Sequence, residues 1–73
     1  MIENKEIATT ISQLMLRFGK EIDSSVALVQ THCGKEELRC YQQAAGKIMA
    51  SMLLDVMNPL YKIHPDIKPD ELI

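Results

Sequence analysis

The residues of this 73-residue chain best suited to metal or thiol chemistry are His32, Cys33, Cys40 and His64. Zinc sites pair their ligands a few residues apart, as in CxxC or HxxxH. Here a histidine and a cysteine are adjacent and the second cysteine follows seven residues on, a spacing that closes no such site. His64 could supply a fourth ligand only if the end of the chain folded back along most of its length. No metal site is expected. Nor is a nucleophilic thiol: the pattern puts Cys33 near a helix C-terminus, where the dipole disfavours a thiolate. Cys40 falls about a turn and a half into the next helix. His32 and Cys33, as sequence neighbours on a helix, point apart.

Carboxylates pair at Glu36/Glu37 and at Glu21/Asp23. Neither pair has the Glu-x-x-His companion used by metal sites inside helical bundles. Glycine-rich phosphate loops, nucleophile elbows and dinucleotide fingerprints do not occur. The basic residues Lys5, Arg17, Lys20, Lys35, Arg39, Lys47, Lys62 and Lys68 are scattered without interleaved aromatics. That pattern argues against nucleic acid. The tyrosines, Tyr41 and Tyr61, are expected to lay their rings on the core with the hydroxyl at its edge. The residues thus nominate no catalytic group and no cofactor.

The elements that would position these side chains are helices. Residues 3–32 place Ile7, Ile11, Leu14, Met15, Phe18, Ile22, Val26, Val29 and Cys33 at steps of mostly three and four, one apolar stripe on a helix. Leu16 and Leu28 fall outside it, Leu16 farthest, and are expected at the surface. Gly34 can take the left-handed backbone that ends a helix. Glu36 and Glu37 then suit the first turn of a second helix. So short a link makes the helices antiparallel neighbours. The second helix spans about 35–57, with Leu38, Tyr41, Ala45, Ile48, Met49, Met52, Leu53, Val56 and Met57 as its apolar set. Lys47, Ser51 and Asp55, spaced by fours, form its one narrow polar strip. Asn58-Pro59 is expected to stop that helix, and a short helical turn is expected over about 59–63. The tail, 64–73, carries two more prolines. Ile63, Ile67, Leu72 and Ile73 are available to dock it.

The fold expected is therefore all-α, a single domain over residues 1–73: a long antiparallel helical hairpin with a short C-terminal turn and tail. On an ideal wheel the apolar arc of the second helix covers about 180°, whereas one partner helix covers little more than about 100°. Something else must cover the remainder. The economical cover is a second copy, giving a four-helix bundle; the alternatives are a different partner protein or a self-sufficient single chain with its tail packed across the hairpin. The expected interface is Ala45, Gly46, Met49, Ala50, Met52, Leu53, Val56 and Met57. Gly46 and Ala50 form a small-xxx-small pair suited to close approach. Mid-helix glycine costs about 1 kcal/mol against alanine, so Gly19 and Gly46 suggest close crossings. A Gly19 that merely faces water is the alternative.

Five methionines against one phenylalanine and no tryptophan make an adaptable apolar surface. Eight basic and ten acidic residues leave a formal charge of −2. No apolar run reaches the ~18 residues of a membrane span. The opening MIENKEIATT is not a signal peptide, so a reducing compartment, the cytoplasm, and free thiols are expected. The function expected is a small protein–protein interaction module (adaptor, chaperone-like subunit or regulator) acting as a homodimer, or with another protein. The alternative is a helical bundle that binds a small apolar ligand. An enzyme is not expected.

Overall fold

The computed structural model describes residues 1–70. They are almost entirely helical, with no strand among them. Helix α1 runs Lys5–His32 and α2 runs Lys35–Ser51. A π-helical stretch, Met52–Met57, joins α2 to α3, Asn58–Ile63, and a 3-10 turn, Pro65–Ile67, follows. The molecule is a rod of 44 × 19 × 16 Å. Leu72 and Ile73, which the sequence offers for docking the tail, lie outside the described residues.

Asn4 starts α1. Its backbone is extended, and its side chain accepts a hydrogen bond from the Ile7 N–H at 3.2 Å, satisfying one of the first-turn donors. At the other end the Cys33 N–H donates to the Val29 carbonyl at 2.8 Å. The turn itself departs from the glycine cap expected there. Gly34 lies at φ −77°, ψ 170°, and Cys33 is extended too. Two consecutive extended residues reverse the chain, and no described residue has a positive φ. Gly34 serves instead as the N-cap of α2, its carbonyl accepting from the Leu38 N–H at 3.0 Å.

Asn58-Pro59 does not stop the helix, as its composition suggests it should. Proline has no N–H to donate, and its ring crowds the carbonyl four residues back. A π turn, wider by one residue, is a common way to absorb such a misfit. Here the Asn58 N–H reaches the Leu53 carbonyl, five residues earlier, and helical backbone continues through Ile63. The expected polar strip is real at the surface: the Ser51 hydroxyl donates to Asp55 Oδ2 at 2.9 Å, four residues on.

The core sits at one end of the rod. Ala8 and Ser12 of α1, Met57 of the π stretch, and Leu60 and Tyr61 of α3 are buried, as is Ala45 of α2. Ser12 and Tyr61 share a buried hydroxyl–hydroxyl bond of 2.5 Å. The ends of the chain close over this core. Nε2 of His64 meets the Ile2 carbonyl at 2.8 Å, and Lys5 pairs with Asp66.

This placement turns α1 away from the orientation its apolar stripe predicts. On an ideal wheel Ala8 lies roughly 55° and Ser12 roughly 95° from the stripe's centre. Ile7 and Phe18, both on the stripe, are 50% and 41% exposed. The cause is Tyr61. A buried phenol needs a polar partner. Ser12 supplies it, while the small side chains of Ala8 and Ser12 leave room for Leu60 and the tyrosine ring.

Candidate interaction surface

The α1–α2 pair leaves an open groove of about 650 Å³ along one side of the rod. Its α1 wall is Met15, Leu16 and Gly19, rimmed by Lys20 and Asp23. Its other wall is Met49, Ala50, Met52, Leu53 and Met57, and Pro69 stands at one edge. Three features of local structure build it. The i, i+3, i+4 spacing of Met49, Met52 and Leu53 sets them on one face of α2 and its π extension. Pro69, just after the 3-10 turn, adds to the lining. Gly19 keeps its wall low: a Cβ added there meets no atom of the chain within 4 Å.

The eight residues expected at an interface are not equivalent in the structure. Met49, Met52 and Leu53 line the groove and are half-buried; Ala50 lines it and is exposed. Met57 also reaches it, but at 5% exposure belongs mainly to the chain's own core. Ala45 is 3% exposed and offers a partner little surface. Gly46 is exposed and Val56 half-buried, and neither lines the groove. The close crossing that Gly19 and Gly46 suggest is not made within the chain, because both positions open onto free space.

Leu16 is a correction. Expected at the surface as an isolated leucine, it is half-buried and forms part of the groove wall. The rotation of α1 that buries Ser12 swings Leu16, one turn further along, toward α2. The same rotation exposes apolar surface on the opposite side. Tyr41 donates its hydroxyl to Ser25 Oγ at 2.6 Å, and Ser25 donates in turn to the Ile22 carbonyl at 2.6 Å. Two turns from this bridge along the antiparallel pair, Phe18 of α1 and Ile48 of α2 are 41% and 55% exposed. Leu28 and Leu54 are also exposed, at 62% and 60%.

The chemistry-bearing residues do not converge. Cys33 and Cys40 are free, exposed thiols near the hairpin turn. His64 lies at the far end against Ile2. Among the described residues no three of His, Cys, Asp and Glu come together to hold a metal ion, and no helix is long and apolar enough to cross a membrane. Tyr61 has its ring in the core, with its hydroxyl inside rather than at the edge; Tyr41 is exposed. The hydrogen bond from Lys5 holds the Asp66 carboxyl below the ordinary carboxylate value. Sequence reasoning missed this clasp of the two chain ends. Its only signal was a pair of opposite charges 61 residues apart, which no local pattern connects.

No known protein family, curated protein or solved structure matches the chain.

Proposed function

We propose that the chain is a protein–protein interaction module, an adaptor, chaperone-like subunit or regulator, whose groove is covered by a second copy of itself. The reading assigns it no reaction of its own and places it in the cytoplasm, where its thiols stay reduced. The observation that carries it is surface. The chain exposes 5508 Å². A compact monomer of 8.3 kDa exposes about 4,600 Å² by the usual scaling. The excess, about 900 Å², is close to the ~800 Å² that each partner buries in an interface of standard size. Shape supports the same reading: the radius of gyration is 14.4 Å, against about 11 Å for a compact chain of this length. A lining of unbranched methionines suits a surface that repacks against a helix.

Sedimentation equilibrium at micromolar concentration tests the reading. The expected mass is twice that of the chain. Met52→Asp puts a charge into the groove and is expected to yield a monomer. A full-strength Met52→Asp dimer assigns the contact to another face. The groove also has a volume within the range of small-molecule sites, about 300–1,000 Å³. That favours apolar-ligand binding as a second reading. Under it, a medium-chain fatty acid raises the melting temperature of the wild type and not that of Met52→Asp.

A further inference from the structure

We infer that two copies meet through antiparallel α1 helices, with Lys20 of each copy against Asp23 of the other. The inference rests on the homodimer reading and adds its geometry. Lys20 and Asp23 are the two charged residues on the groove, both on α1 and three residues apart. Neither forms an ion pair with the described residues of its own chain. A two-fold axis crossing α1 midway between them sets each lysine opposite the other copy's aspartate, twice over. A parallel arrangement sets lysine against lysine and aspartate against aspartate. The charge pattern is therefore self-complementary in one orientation only, as an isologous contact requires.

The same register decides the neighbours. It places Leu16 opposite Ala27 of the second copy, eleven residues on and at nearly the same angle around the helix. The leucine then meets a small side chain, and Ala27 is exposed in the single chain. This also accounts for Gly19. A mid-helix glycine costs about 1 kcal/mol against alanine, and nothing in its own chain lies within 4 Å of the missing Cβ. A second helix backbone crossing there fills the space.

The experiment is a charge exchange followed by analytical ultracentrifugation. Lys20→Glu makes the patch acidic and Asp23→Lys makes it basic. Each variant alone is expected to dissociate roughly tenfold more readily than wild type, since it replaces two rim attractions with repulsions. An equimolar mixture of the two is expected to recover the wild-type dimer as a mixed species. Far-UV circular dichroism checks that both variants remain helical, as expected for exposed positions. A wild-type dimer whose strength neither variant changes, with no preference for the mixed pair, overturns this crossing while leaving the homodimer intact. A wild-type chain that is monomeric at every accessible concentration overturns the homodimer and the crossing with it.

Discussion

The two ends of the rod are built from the same helices and hold themselves together differently. At the end that carries Ile2, His64 and Asp66, α1 meets the π stretch and α3. Leu60 and Ala8 are fully buried there, and Met57, Tyr61 and Ser12 nearly so. At the hairpin turn only α1 and α2 meet, and no residue from 20 to 44 is fully buried. Each end has a serine–tyrosine bridge from α1: Ser12–Tyr61 in the core, and Ser25–Tyr41 at the surface. The difference teaches that two helices in contact make a slab, and that a third element is what shuts water out. The groove is where the slab continues without that third element.

The comparison is tested hardest by Leu60→Ala. Emptying a fully buried leucine site is expected to cost about 2–5 kcal/mol, a large share of the roughly 4–11 kcal/mol typical for this length. Leu28→Ala, at the turn end, is expected to stay within about 0.5 kcal/mol of wild type. Urea unfolding measures both, and similar losses would erase the distinction between the ends. Next in size is Ser12→Ala, which strands the buried Tyr61 hydroxyl at a cost of about 1–3 kcal/mol. Adding Tyr61→Phe removes the stranded group and is expected to restore most of that loss. Ser25→Ala is expected to cost well under 1 kcal/mol, because water replaces the lost partner of Tyr41.

Gly46→Ala sharpens the contrast from the other direction. The added methyl meets open space, so thermal unfolding is expected to show a gain of about 0.5–1 kcal/mol. A loss would mean that something packs against that face. The smallest effect belongs to Lys5→Met at the clasp, where both partners are exposed. The folded state depresses the Asp66 titration, so the pair contributes above the unfolded carboxylate value and its contribution fades as pH falls through the folded one. The variant and wild type are therefore expected to differ slightly at neutral pH and to converge in acid, as read from unfolding midpoints across pH.

Much of the architecture was readable residue by residue. The three- and four-residue steps from Ile7 to Val29 and from Leu38 to Met57 require helices, and the two-residue link at Cys33-Gly34 requires them to run antiparallel. What local pattern could not give was which face of α1 points inward. An apolar stripe reports an average preference; in the fold Ser12 faces the buried Tyr61 hydroxyl, Ile7 and Phe18 lie outward, and Leu16 lies inward. The π stretch escaped for a similar reason. Asn58-Pro59 signals a stop when read alone, yet helical backbone continues to Ile63 and carries the buried Leu60 and Tyr61. For the groove, the Met49–Leu53 wall followed from spacing, but Leu16, Lys20 and Asp23 became its other wall only through the rotation of α1.

By itself the sequence determined that this chain is helical, that its helices pair in antiparallel, and that the second of them carries more apolar surface than the first can cover, because periodicity and turn chemistry act over a few residues. The tertiary structure alone decided where the core lies, how far α1 rotates, and that the ends clasp through Ile2–His64 and Lys5–Asp66. Those outcomes depend on groups some fifty to sixty residues apart satisfying one another's hydrogen bonds and volume, and only the folded chain brings them together.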